Sequence, residues 1–127
     1  MNSSDVFDRL MEQIHDRAEQ LPPGSYTTKL ITGGVPAMGG KVVEEANEVV
    51  QAATALSVQE LSEQDAATLE THAKARQHLI YEAGDVIYHL WVLLGSFGVS
   101  TEELRRELER REGTSGLEEK RRRSETS

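Results

Sequence analysis

Lys41-Val42-Val43-Glu44-Glu45-Ala46-Asn47-Glu48-Val49-Val50-Gln51-Ala52-Ala53-Thr54-Ala55-Leu56 is the stretch on which the fold turns. It holds no glycine or proline and is rich in alanine, valine and glutamate, so it reads as a long helix. On a wheel turning about 100° per residue, Val42, Ala46, Val49, Ala53 and Leu56 form an apolar arc. The acids do not sit opposite that arc. Glu45 falls inside its edge, Glu48 lies just beside it, and Glu44 is a step further round. Glu44 and Glu48 are spaced i, i+4, and Glu45 and Glu48 i, i+3, which are repulsive spacings in an isolated helix.

A third helix, from roughly Asp65 to Ser96, repeats the arrangement. Leu79, Ala83, Val86, Ile87, Leu90, Leu93 and Leu94 make its apolar arc, and Glu82, Asp85 and His89 line the flank. Packing the two arcs together brings at least four carboxylates into one partly dry cleft. Such a cluster is costly unless something neutralises it. Mg²⁺ suits the task, because it takes oxygen ligands, keeps several waters and shares its shell with substrate phosphates. The competing reading is ordinary: glutamate-rich helix faces are commonly solvated, and one E-x-x-E pair is weak evidence. The spacing leaves both open.

Outward from these helices the chain is punctuated clearly. Val6, Phe7, Leu10, Met11 and Ile14 give a first helix one apolar stripe, with Ser3 or Ser4 as N-cap and Leu21-Pro22-Pro23-Gly24 as its end. Ser25 to Leu30 reads as a short helical turn. Gly33 to Gly40 holds four glycines and Pro36 and reads as a flexible connection before a helix from about Lys41 to Leu56. Ser57 to Glu60 and Ser62 to Asp65 have capping-box spacing and mark a break. Gly98 closes the third helix, Ser100 or Thr101 caps a fourth through about Arg111, and Leu117 to Ser127 reads as a polar, basic tail. The expectation is an all-α bundle of four to five helices, one domain over 1–120, with a flexible basic tail over 121–127.

Bulk properties narrow the function. The chain has 127 residues, no cysteine, 22 acidic against 14 basic residues, and a formal net charge of −8. Thiolate metal sites and cysteine nucleophiles are excluded. Nucleic acid is not an expected partner, since its phosphates would be repelled over most of the surface. No apolar run reaches the roughly 20 residues of a membrane span, and Met1 to Asp5 lacks signal-peptide features. A cytoplasmic protein is expected.

Glu45-x-x-Glu48 followed by Glu82-x-x-Asp85 resembles the metal-binding signature of the all-α, MazG-like NTP pyrophosphohydrolases. Gly24-Ser25-Tyr26-Thr27-x-Lys29-Leu30, Lys41-Val42-x-Glu44-Glu45-x-x-Glu48-Val49-Val50, and Tyr81-Glu82-Ala83-x-Asp85-Val86-x-Tyr88-His89-Leu90 are similar to the phosphoribosyl-ATP pyrophosphatase family within it. Glu109-Arg110-Arg111-x-Gly113-x-Ser115-Gly116-Leu117-x-Glu119-Lys120 continues the likeness, so that it spans most of residues 5–120. The resemblance implies a MazG-like fold whose core is completed by homodimerisation. It also implies Mg²⁺ as cofactor, phosphoribosyl-ATP as substrate, and Glu44, Glu45, Glu48, Glu82 and Asp85 as metal-site acids. The stretch between Glu48 and Glu82 is longer than the family usually has, and implies an extended helical hairpin.

Within that frame Glu45, Glu48, Glu82 and Asp85 are the candidate catalytic residues. Glu45 lies deepest in the apolar arc, where its pKa should rise, and is the candidate base. Lys29 and Lys41 are the expected phosphate contacts beside the glycine-rich stretch. Ser25 and Thr27 either cap the short helix or bind phosphate. The resemblance adds Ser115 and Lys120, from a segment that would fold over the substrate. His89 reads as a satisfied structural histidine and is left out of the ligand set. A nucleotide-sanitising pyrophosphohydrolase acting on dNTPs would share the same acids, and a purely structural helical dimer would tolerate their neutralisation.

Overall fold

The computed structural model describes residues 5–59, 65–113 and 116–126. Six helices account for nearly all of them: α1 (Val6–Gln20), α2 (Tyr26–Thr32), α3 (Gly34–Gln59), α4 (Ala66–Ser96), α5 (Thr101–Arg111) and α6 (Gly116–Thr126). Among the described residues there is no strand. The all-α expectation is met, with one helix more than the four to five foreseen.

α1 starts at Asp5, whose side chain accepts from the Asp8 amide at 3.0 Å while Asp8 accepts from the Asp5 amide at 3.3 Å. This reciprocal capping box satisfies two otherwise orphaned donors. It corrects the expectation of a Ser3 or Ser4 cap, two residues that lie outside the described part of the chain. Leu21 ends α1 in the left-handed region (φ 46°), its amide bonding the Arg17 carbonyl at 2.8 Å. Pro22 and Pro23 then block any continuation. Asp65 caps α4 by accepting from the Thr68 amide at 2.8 Å, and Ser100 caps α5 through a second box with Glu103.

α3 begins seven residues before the expected Lys41. Gly34 turns the chain at φ +76°, and the segment foreseen as flexible, Gly33 to Gly40, is helical from there on. The glycines cost about 1 kcal/mol each inside a helix, but two features offset them. Pro36 falls in the first turn, where no amide donor is required. Met38 is buried in the core with Ile14, Leu30 and Val92, and burying such a side chain contributes about 1.5–3 kcal/mol. Close packing fixes the approach as well, since a Cβ on Gly33 would fall 2.6 Å from that of Ala37.

α3 and α4 pack against each other more extensively than any other pair and run antiparallel, with Glu45 facing Asp85 and Ala52 near His78. Both extend well past their acids, forming the long hairpin implied by the sequence. α1 lies across the end of α4, where Ile14 and Met11 meet Gly95. Two long-range bonds hold it there: the Trp91 indole N–H donates to the Phe7 carbonyl and the His15 ring to the Val99 carbonyl, both at 2.9 Å. Gly116–Thr126 form α6, so the stretch from Leu117 that reads as a polar, basic tail is helical over its described residues. Glutamate, lysine and arginine favour helix, and Arg122 reaches Glu118 at 3.4 Å across one turn.

Candidate active site

The buried face of α3 is not the arc read from the sequence. Ala46 and Ala53 are exposed, whereas Met38, Glu45, Ala52 and Leu56 are buried. That rotation moves Glu45 from the edge of the apolar arc to the middle of the covered face, where only 7% of it is exposed. α4 is rotated the same way. Its buried residues are Glu82 (8% exposed), His89, Val92 and Gly95, while the expected apolar arc from Leu79 to Leu94 is only half covered.

The helix pair therefore aims acids inward. One carboxylate oxygen from each of Glu45, Glu48 and Glu82 lies within 4.8 Å of the others. Glu45 Oε2 and Glu82 Oε2 are fully buried and have no hydrogen-bond partner. Buried carboxylate oxygens left without donors are costly. Burial, then a short contact with Glu48 and the charges of Glu48 and Asp85, push the Glu45 carboxyl up to about 7. Burial and the neighbouring Glu48 raise Glu82 too. Asp85 is half-buried and close enough for its charge to act on both. Glu44 is apart from this group: it is exposed and ion-paired to Lys41 at 3.3 Å.

The cationic and hydroxyl candidates divide similarly. Lys41 flanks the cluster and opposes the rise at Glu45. Lys29 is exposed on α2, where it lines a shallow depression with Gly24, Ser25, Tyr26 and Thr28. The Ser25 hydroxyl is the α2 cap, accepting from the Thr28 amide at 3.2 Å and from Arg17 at 3.3 Å. Thr27 is buried and shares a 2.6 Å hydrogen bond with the Tyr88 hydroxyl. Lys120 is exposed on α6, and Ser115 lies outside the described residues.

Two features escaped the sequence reading. His78, one turn before Glu82, stands 3.5 Å from its Oε1 and lines the same concavity as Glu48, Gln51, Ala52 and Ala55. Its i, i+4 spacing from an inward acid was the available signal. His89, read as structural, is indeed buried, but it joins Tyr26 to the Asp85 backbone (2.9 and 2.8 Å). Nothing in the spacing shows that α2 would come to lie there.

The family model for phosphoribosyl-ATP pyrophosphohydrolase matches residues 7–112. The chain belongs to the phosphoribosyl-ATP pyrophosphohydrolase family. It is similar to the phosphoribosyl-ATP pyrophosphatase of Rhodopirellula baltica, at 49% identity over 90% of this chain and 82% of that protein. The phosphoribosyl-ATP pyrophosphatase of Sulfurisphaera tokodaii is 40% identical over 86% of this chain and 97% of its own length. A third relative, the histidine biosynthesis bifunctional protein HisIE of Wolinella succinogenes, is 34% identical over 91% of this chain, which spans 42% of that longer protein. The region shared with the phosphoribosyl-ATP pyrophosphohydrolase family contains both acid-bearing helices and α2.

Proposed function

We propose that this chain hydrolyses phosphoribosyl-ATP to phosphoribosyl-AMP and pyrophosphate, the reaction of histidine biosynthesis named by its relatives, in a Mg²⁺-dependent manner. One observation supports the metal most directly: Glu45 Oε2 and Glu82 Oε2 are buried without any donor, in a cluster of hard oxygen ligands. That donor set fits a divalent cation of the Mg²⁺ type. Glu48, Glu82 and Asp85 would hold it, with Glu45 shared or adjacent and Glu44 in an outer position. When bound, the ion supplies positive charge to the phosphate oxygens and lowers the pKa of water.

The chain's own groups do the rest. Glu45, the most buried acid of the cluster, accepts the proton of the attacking water. The water oxygen bonds to phosphorus as the P–O bond of the α–β anhydride breaks and pyrophosphate departs. Lys41 and Lys29 contact the phosphates as point charges. Ser25 and Thr27 shape that wall of the site through the α2 cap and the Tyr88 bond, and Ser115 and Lys120 are assigned to substrate binding on the family likeness alone.

Homodimerisation is part of the same reading. Val43 and Val50 on α3 are each 63% exposed, and Ile80 and Tyr81 on α4 are uncovered as well. With the half-covered arc of α4, they form apolar surface that a second copy would bury. A cytoplasmic location fits a biosynthetic enzyme in which no helix among the described residues is long and apolar enough to cross a membrane. The net charge of −8 leaves nucleic acid a poor partner.

Pyrophosphate release from phosphoribosyl-ATP with Mg²⁺, beside an EDTA control and a dNTP panel, tests the proposal. Metal-dependent release from phosphoribosyl-ATP is the expected result. Release confined to dNTPs would reassign the substrate and keep the site, and no release from any would remove the enzymatic reading. Turnover close to normal in Glu45→Gln, with Mg²⁺ still bound, would take the base role away from Glu45.

A further inference from the structure

α2 is joined to the acid-bearing helix α4 by a hydrogen bond to His89, whose other ring nitrogen is bonded within α4. His89 Nδ1 lies 2.8 Å from the Asp85 carbonyl oxygen, and His89 Nε2 lies 2.9 Å from the Tyr26 hydroxyl. A carbonyl can only accept, so Nδ1 carries a proton, and the tautomer protonated on Nδ1 alone leaves Nε2 as an acceptor. The Tyr26 hydroxyl must then donate. Its direction is thereby set by the backbone of a metal-site acid. The Tyr26 ring is stacked on Tyr88 (6.3 Å between centroids, 15° between planes) and meets His89 edge-on at 5.9 Å. Tyr88 in turn shares the Thr27 hydroxyl.

A network that only filled the core would be covered. His89 is, at 6% exposed, but Tyr26 is 48% exposed, and the charges of Lys41, Glu45 and Glu44 all act on its phenol. One end of the network is thus buried beside Asp85, and the other is a half-exposed phenol that feels the charges of Lys41, Glu45 and Glu44.

We propose that His89 is a positioning residue: through its bonds to the Asp85 carbonyl and the Tyr26 hydroxyl it holds Tyr26, and with it the Ser25–Lys29 wall, in register with the acid cluster for substrate binding. This rests on the hydrolase reading above. Misplacement of a binding wall by about 1 Å can cost about 100-fold in rate, and loss of outer supporting residues about 10–100-fold.

The test is made on the full chain with Tyr26→Phe, His89→Leu, His89→Gln and the Tyr26→Phe/His89→Leu double variant. It reads kcat and KM for pyrophosphate release from phosphoribosyl-ATP, Mg²⁺ binding by calorimetry, and the ¹⁵N imidazole spectrum. Tyr26→Phe and His89→Leu are each expected to raise KM about tenfold, with Mg²⁺ affinity unchanged. The double variant should be no worse than the poorer single, because both single variants already remove the Tyr26–His89 bond. His89→Gln, whose carbonyl can accept from Tyr26, should recover most of the loss. The spectrum should show His89 protonated on Nδ1.

An unchanged KM in Tyr26→Phe, multiplicative losses in the double variant, or a His89 protonated on Nε2 would each overturn the proposal. So would a His89→Leu loss that follows Mg²⁺ affinity, which would confine His89 to supporting Asp85. Tyr26→Phe and His89→Gln keep the test decisive should His89→Leu fail to fold. A parent chain inactive on phosphoribosyl-ATP sinks the substrate reading by itself. The variants are then compared on whichever dNTP the parent hydrolyses, and a parent inactive on all of them removes the positioning role too.

Discussion

Two acidic regions of this molecule use the same functional group in opposite ways. Where α1 meets α5, Asp8 is surrounded by donors: the Thr101 hydroxyl at 2.6 Å, Arg105 at 2.7 Å and the Asp5 backbone amide at 3.3 Å. Those bonds hold its carboxyl below the ordinary carboxylate range, the Thr101 bond foremost. Where α3 meets α4, Glu45 and Glu82 face other acids, keep unpartnered oxygens and are raised. The first region joins two helices and is complete within the chain. In the second, acids lie against one another, an arrangement that the proposed cation would relieve. Satisfied acids mark structure, and unsatisfied buried acids mark a site.

The largest expected effect separates the two regions outright. Glu82→Gln or Glu48→Gln should lower pyrophosphate release by about 100-fold or more, as expected when a metal-directed electrostatic contribution is removed. The metal-free melting temperature of these variants should stay level or rise, because like-charge repulsion is relieved. Asp8→Asn should do the reverse, lowering the melting temperature and leaving turnover near that of the parent. Steady-state kinetics beside thermal unfolding in EDTA reads both. A stable, active Glu82→Gln, or an inactive but fully stable Asp8→Asn, would erase the distinction.

The next effect concerns the packing of α1 against α4. Gly95 on α4 is buried, and a Cβ there would fall 2.6 Å from Ile14 Cγ2 and 3.2 Å from Met11 Sδ. Gly95→Ala should therefore destabilise the fold by about 1–3 kcal/mol, the usual cost of overpacking, even though alanine is the better helix former. Chemical denaturation measures it. A neutral or stabilising Gly95→Ala would mean that α1 can slide on α4 without loss.

How much of this was legible in the sequence depends on which force acts where. The helices of the α3–α4 hairpin and their acids were readable because 3.6-residue periodicity and the Glu45-x-x-Glu48 and Glu82-x-x-Asp85 spacings are local. The rotation of each helix was not. Counting apolar residues placed Ala46 and Ala53 inward on α3, yet they are exposed and Glu45 takes the covered position. Periodicity averages over side chains and is drawn to the larger apolar arc, and that arc on α4 is only half covered within this chain. The helical state of Val35 to Gly40 was hidden because Met38 burial, a tertiary term, outweighs local glycine preference. The Tyr26–His89–Asp85 link was hidden because α2 approaches α4 across more than 60 residues of chain.

A pH series sharpens the comparison through the sign of its slope. In the metal-free chain Glu45 is raised from about 4.5 to about 7, so between those values the folded state holds a proton that the unfolded chain has released. Stability tied to Glu45 is then greatest below the unfolded value and is lost as pH climbs through about 7. Asp8 has the opposite sign: its lowered folded pKa stabilises above the ordinary carboxylate range and is lost as pH falls through the folded value. In EDTA the melting temperature should decline from pH 5 toward pH 8, and Mg²⁺ should reverse that decline at pH 8. Glu45→Gln should flatten it. A metal-free stability that rises over this interval would mean that Glu45 is not the proton-holding group.

The smallest effect guards against reading every shifted acid as important. Glu107 is held at about 2 by Arg110 at 2.7 Å and Arg111 at 2.8 Å, a displacement of the same order as that of Glu45. All three side chains are solvent-exposed, at 42–56%, so water and salt screen the pairs and ordering the long side chains offsets most of the attraction. Glu107→Gln should consequently shift the melting temperature by no more than about 1–2 °C. Direct NMR titration of Glu107 should nonetheless find it ionised well below the ordinary glutamate range. A shift in pKa reports the charges nearby, whereas stability and function depend on whether water has been excluded from them. A large loss of stability in Glu107→Gln would show that α5 is less exposed in solution than in the single chain, as burial against a second copy would produce.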